Sequence, residues 1–267
     1  MHSINQDPTD KIMVILPSLQ EYVRTHKEYG EKPILVQDFK RILKNSYTAK
    51  NYPSGKSTMN RSILPFLPYT QKKSKFIDNN LIRCITLEGI PDEAVYDILY
   101  FHHCWANPLL RKIIETTIYP YMIAKDQVTR ERVMNELTET AGQYNRNSIQ
   151  NIFTPMTKHG FMTYDKQKKK YTFTNKSIHP VTLLYTTYRE LQRLGLKLLG
   201  VHRIDSLMEL EYTKWLLVTR SQFVDIVKKL DENKFAGYSF QLEEQLHIKY
   251  SFEEFLERLK TKGGDKK

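Results

Sequence analysis

The sequence predicts a mainly α protein: a helical bundle with a winged helix-turn-helix unit and, toward its C-terminus, a further helix plus β-hairpin. Three observations carry this. Apolar residues recur at helical spacing through most of the chain. Between Arg130 and Thr174, two such runs separated by a short Gly-containing turn lead into a lysine-rich hairpin. Period-two alternation, the mark of a half-buried strand, is confined to a few short stretches. The expected organisation is an N-terminal helical region over 1–125, the winged helix-turn-helix over 126–178, and a C-terminal helical region with the hairpin over 179–267.

In chain order, an apolar patch from Ile12 to Leu16 is interrupted by Pro17. That is too short for a membrane span, and no small-residue cleavage site follows it. Helical patches come next at Leu19–Lys27 and Leu35–Asn45, the second with Val36, Phe39, Ile42 and Leu43 on one face. Residues 46–74 are rich in Pro, Ser, Thr, Asn and Lys and predict a connector, whose Lys50, Lys56, Arg61, Lys72, Lys73 and Lys75 suit solvent or a phosphate backbone. From Phe76 to Ala124 three helices are expected: Leu81 to Leu87, Ala94 to His103, and Leu109 to Met122. The last two are apolar nearly all round and so belong to a buried centre. Pro91 and Pro108 fit first turns, and Pro120 is expected to kink or end the third helix.

The central unit begins with Thr129 as N-cap, Val133, Met134, Leu137 and Ala141 as the apolar stripe, and Gly142 as the stop. Ile149, Ile152, Phe153 and Met156 form the stripe of a second helix. Pro155 inside it removes a hydrogen bond, predicting a kink or an end at Thr154. Gly160, Phe161 and Met162 lead to a turn over 164–170 and an alternating Tyr171–Thr174 strand. Beyond it, Pro180 opens a helix through Leu194 using Leu183, Leu184, Tyr188 and Leu191. Residues 213–219 form a strand or a buried helical turn. Ser221 caps a helix through Leu230 built on Phe223, Ile226, Val227 and Leu230. Strands at 238–242 and 246–250 flank a turn at 243–245, Ser251 and Glu254 form a capping box, and 260–267 is a frayed tail. Helix followed by hairpin thus recurs, making a second winged unit conceivable; its acidic turn argues against DNA contact there.

A net charge of +11 makes nucleic acid the leading partner. Opposite the second stripe, the 146–158 helix carries Arg146, Asn147, Gln150, Asn151, Thr154 and Lys158. Arg matches the guanine edge bidentately and Asn or Gln the adenine edge in the major groove. Lys166, Lys168, Lys169 and Lys170 crowd the hairpin tip, suited to phosphates beside a docked helix. Arg130 and Arg132 sit at a helix start, where the dipole favours acids; that small cost fits backbone contact.

Other chemistries fare worse. Gly55 to Thr58 resembles the tail of a phosphate-binding loop, but position 50 is Lys50 and no apolar strand precedes it. His102, His103 and Cys104 lie in an apolar helix without a second pair at ligand spacing. Asp205, Glu209, Glu211 and Lys214 miss the spacing of a metal-dependent nuclease, and no Gly-x-Ser-x-Gly elbow exists. No enzyme activity, cofactor or metal is expected. Two cysteines, Cys84 and Cys104, build no disulfide framework, which suits a reducing cytoplasm.

With those segments placed, the order resembles the BrxA-type subunit of bacterial BREX phage-defence systems. The likeness lies in Asn107 to Leu110 opening a helix that ends near Tyr119 to Tyr121, in the Asn147–Met156 helix running into Lys158 to Met162, and in the C-terminal helix, hairpin and short helix. It spans roughly 76–259. It implies a non-enzymatic, mostly helical protein that binds double-stranded DNA with low sequence specificity, beside a methyltransferase, an ATPase and a phosphatase-like subunit. It also implies contacts from Asn145 through Lys158. Two other readings stay open: a plasmid replication initiator or transcriptional repressor with tandem winged units, and an assembly adaptor whose basic surface meets acidic proteins.

Overall fold

The structure, a computed structural model, describes residues 4, 7–26, 34–49, 79–144 and 147–264. Residues 50–74 of the expected 46–74 connector, the Gly55–Thr58 motif among them, lie outside the described residues, while 46–49 are helical rather than loop. The protein is mainly helical, with two small three-stranded antiparallel sheets. It divides into two compact units, Gln6–Val95 with Leu256–Lys267, and Met1–Asn5 with Tyr96–Phe255. The boundaries expected at 125 and 178 both fall inside the second, larger unit.

In the smaller unit, α1 (Thr9–Thr25) packs on α2 (Val36–Ala49). Asp7 starts α1 by accepting from the Thr9 amide at 2.9 Å and the Thr9 hydroxyl at 2.6 Å. Two patches expected on either side of Pro17 are in fact one helix, burying Ile12, Ile15, Leu16 and Leu19. Pro17 is tolerated because it lies on the exposed side, where water satisfies the carbonyl it leaves without a donor. Phe39 and Ile42 of α2 are buried as expected. Helix α3 (Asn79–Ile85) buries Leu81, Ile82 and Ile85.

Helix α4 (Asp92–Ala106) leads toward the larger unit. There, α5 (Pro108–Ile113) continues through a wide π turn at Ile114–Ile118 into α6 (Tyr119–Ile123). Pro108 holds the first turn, as its fixed φ favours. Pro120 does not end the helix: the π turn before it absorbs the missing N–H and places Glu115 to accept from the Trp215 indole at 2.7 Å. Arg111 lies over the face of that indole, 5.0 Å from the ring centre.

Next come β1 (Val128–Thr129), α7 (Arg130–Ala141), α8 (Ser148–Lys158), β2 (Met162–Asp165) and β3 (Lys170–Phe173), with β3 central in the order β1-β3-β2. The same sequence of parts follows again. Helix α9 (Pro180–Arg193) precedes β4 (Gly200–Arg203), the short helices α10 (Ile204–Met208) and α11 (Glu211–Trp215), α12 (Arg220–Glu232), β5 (Gly237–Phe240) and β6 (Glu244–Ile248). Its sheet order, β4-β6-β5, repeats that of the first. The chain ends in α13 (Phe252–Gly264), opened by the Ser251–Glu254 capping box and reaching past the expected stop at Leu259.

Several boundaries differ from expectation. The cap of α12 is Thr219, whose hydroxyl accepts from the Gln222 amide while Gln222 answers the Thr219 amide at 2.9 Å; Ser221 already lies inside the helix. The second hairpin turns at 241–243, two residues early, because Leu242 sits at the tip rather than in a strand. Of the two readings open for 213–219, the buried helical turn is the one found, at 213–215.

Asp97 ties the two repeats together. It accepts from Lys176 at 2.5 Å and from the His179 amide at 2.9 Å, fixing the link from β3 to α9. Lys176 in turn lies 4.6 Å from the Phe161 ring centre.

Candidate nucleic-acid interface

Helix α7 starts on the Thr129 cap, whose hydroxyl accepts from the Arg132 amide at 3.1 Å. It ends at Gly142, with φ of 65°, a left-handed turn that glycine adopts without strain. Val133 and Leu137 are buried; Met134, expected in the stripe, is exposed instead. Helix α8 buries Ile149, Ile152, Phe153 and Met156, the whole predicted stripe. It also runs on through Pro155 to Lys158, so the end foreseen at Thr154 does not occur. Pro155 is itself buried, so its ring adds to the core.

The predicted contact residues separate into groups. Asn147, Gln150, Thr154 and Lys158 are exposed along α8. Asn151 is not part of that surface: it is half-buried, and its amide donates to the Ile4 carbonyl at 2.6 Å. The Ser148 hydroxyl accepts from the Ile4 amide at 3.3 Å, so one N-terminal residue clamps the start of α8. Asn145 and Arg146 lie outside the described residues. Lys166, Lys168, Lys169 and Lys170 are all exposed at the hairpin tip.

The tip is shaped by Asp165. Its carboxylate accepts from the backbone amides of Gln167 at 2.9 Å and Lys168 at 3.0 Å, and lies 4.0 Å from the Lys168 ammonium. The Lys168 amide bond, ahead of the Gln167 amide and the Lys168 charge, holds this carboxyl below its ordinary range. Lys169 completes the turn with φ of 52°. The lysines therefore project from a constrained loop.

An aromatic column joins helix and hairpin. Phe153 of α8 stacks on Tyr171 of β3 at 3.8 Å and 6°, and Tyr171 contacts its cross-strand partner Tyr164 at 4.7 Å. Burial pushes the Tyr171 phenol up, partly offset by the Arg130 charge. Thr129 pairs with Lys170, so Arg130 enters α7 directly beside the basic strand. Sequence reasoning named Arg130 but passed over exposed Tyr164; an aromatic next to a lysine-rich turn was the available signal.

In the second repeat the acidic turn is compensated internally. Glu243 pairs with Arg203 at 2.6 Å, and Arg220 bridges Glu244 at 2.6 Å and Asp205 at 2.7 Å. These pairs also disperse the acidic set weighed as a nuclease centre: Asp205 is engaged by Arg220, and Glu211 faces Arg193 at 3.9 Å. His102 is buried with Nε2 2.8 Å from the Tyr185 hydroxyl, and burial, then the Arg189 charge, holds it well below the usual histidine range. Among the described residues, no three His, Cys, Asp or Glu side chains gather as metal ligands.

Among the described residues no helix is long and apolar enough to cross a membrane. Comparison with known proteins yields no match to a family model, a curated protein or a solved structure.

Proposed function

We propose that residues 126–178 form a winged helix that binds double-stranded DNA, with α8 at the major groove and the 164–171 hairpin along the adjacent backbone. One observation carries this reading. A helix with an exposed polar row (Asn147, Gln150, Thr154, Lys158) is stacked through Phe153 and Tyr171 onto a hairpin whose tip holds four exposed lysines. Phosphate contacts dominate such an interface, so binding is salt-dependent with modest sequence preference. The protein acts as a non-enzymatic cytoplasmic DNA-binding subunit. Its resemblance to the BrxA type supports a place in BREX-type phage defence, beside a methyltransferase and an ATPase.

Fluorescence anisotropy with a labelled duplex at a series of salt concentrations tests this. Joint reversal of Lys168, Lys169 and Lys170 to Glu weakens binding to every duplex and flattens the log–log salt slope, by about 0.9 for each phosphate left unneutralised. Gln150→Ala changes discrimination between duplexes while leaving that slope alone. Unaltered affinity in the triple variant would falsify the wing assignment, and absence of duplex binding by the unmodified protein would favour the adaptor reading.

The repeated β4-β6-β5 order favours a second reading, a replication initiator or repressor with two winged units. That protein protects one repeated site in footprinting, whereas a low-specificity subunit protects none in particular.

A further inference from the structure

Tyr164 and Phe240 are the exposed large aromatic rings among the described residues, and each belongs to a hairpin. Their surroundings differ. Around Phe240 charge is balanced, Glu243 by Arg203 and Glu244 by Arg220. Around Tyr164 it is not. Asp165 is the carboxylate of that turn and pairs with Lys168, while among the described residues Lys166, Lys169 and Lys170 form no ion pair. Phosphate contact accounts for these lysines. It does not account for an exposed ring among them.

The ring is held in place before any ligand arrives. Tyr164 lies opposite Tyr171 in the β2–β3 ladder, 4.7 Å away at 39°, and Tyr171 stacks on Phe153 at 3.8 Å and 6°. Phe153 is buried in α8, so the column is rooted in the core. One side of Tyr164 faces Tyr171, and the 39% of the residue left exposed belongs to the rest of it. Asp165 fixes the adjoining turn through the Gln167 and Lys168 amides. Arg130, whose charge acts on the Tyr171 phenol, adds a cation near the same column.

In a continuous duplex the faces of the bases are covered by their stacked neighbours, and the grooves present base edges. An unpaired base offers its face. A stacking ring within a positively charged surface is the arrangement that holds single strands, because every base has such a face. We propose that Tyr164 is a stacking platform for an unpaired DNA base, so that the winged helix prefers duplex interrupted by unpaired bases over continuous duplex. The column of Phe153, Tyr171 and Tyr164 continues into the base, while the lysines of the turn hold the phosphates beside it. Preorganisation of the ring keeps the ordering cost of this contact small. The inference rests on the duplex binding proposed above and adds the form of DNA that the same site selects.

Fluorescence anisotropy of the full chain on two labelled duplexes of equal length and identical ends tests it, one fully paired and one with a short unpaired bubble at its centre. The unmodified protein binds the bubble about tenfold tighter, the size of one base stacked on an aromatic ring. Tyr164→Ala lowers affinity for the bubble to that for the paired duplex, with far-UV circular dichroism unchanged, and Tyr164→Phe keeps the preference. A fluorescent adenine analogue placed in the bubble is quenched by the unmodified protein and by Tyr164→Phe, but not by Tyr164→Ala. Joint reversal of Lys168, Lys169 and Lys170 weakens both duplexes and leaves their ratio. Equal affinity of the unmodified protein for the two duplexes overturns the inference while duplex binding stands. A preference that survives Tyr164→Ala overturns it as well, as does an equal loss on both duplexes, which a merely structural ring would give. Absence of binding to either duplex overturns this inference together with the reading it rests on.

Discussion

At the scale of single residues, the division of labour along α8 is the main result. Asn147, Gln150 and Thr154 are exposed, whereas Asn151, one helical step away, spends its amide on the Ile4 carbonyl. A part-buried hydrogen bond of this kind contributes about 1 kcal/mol. Asn151→Ala therefore lowers the thermal midpoint by roughly 2–4 °C, read by differential scanning calorimetry. Duplex affinity changes less than twofold, in contrast to Gln150→Ala. A large affinity loss with an unchanged midpoint would return Asn151 to the base-reading surface. The polar face drawn from periodicity includes Asn151 because helical spacing cannot register a partner 147 positions away.

At the scale of elements, caps and short strands decide the boundaries. Both Thr219 and Ser221 are good caps by residue type, and the apolar run beginning at Phe223 fits either. The structure selects Thr219 because its register puts Gln222 at the third helical position, where it completes the reciprocal bond to the cap amide. Thr219→Ala costs about 1 kcal/mol, while Ser221→Ala stays within about 0.3 kcal/mol, measured by urea denaturation. Equal losses at the two positions would contradict the assigned cap. Strands β1 and β4 escaped the sequence reading for a related reason. They are two and four residues long, and each is stabilised by a ladder to a distant hairpin rather than by its own alternation.

At the scale of the whole molecule, His102 links burial to acid sensitivity. It lies in the centre of the larger unit against Tyr185 and near Arg189, and it stays neutral because burial opposes its charged form. Its folded pKa is lowered, so the unfolded chain binds the proton first as pH falls. Stability is therefore complete above the unfolded histidine value near 6.5 and declines as pH drops below it. Asp165 works in a lower window: its depressed carboxyl contributes above the ordinary aspartate range and loses that contribution only in stronger acid. The thermal midpoint is expected to fall between about pH 7 and about pH 5, and His102→Gln to flatten that fall. A fall of the same size in the variant would assign the acid sensitivity elsewhere.

What the amino-acid order determined by itself is whatever repeats within a few residues. That covers the buried faces of α8, α9 and α12, the Thr129 cap with its Gly142 stop, and the lysine-rich turn after β2. Only tertiary structure decided that α1 and α8 run through their prolines, that Ile4 clamps α8, that Glu243 and Glu244 are matched by Arg203 and Arg220, and that Leu242 stands at an exposed tip. The reason is range. Periodicity and capping act over one or two helical turns, whereas the partner of a buried amide, a carboxylate or a strand edge is chosen by how distant segments meet.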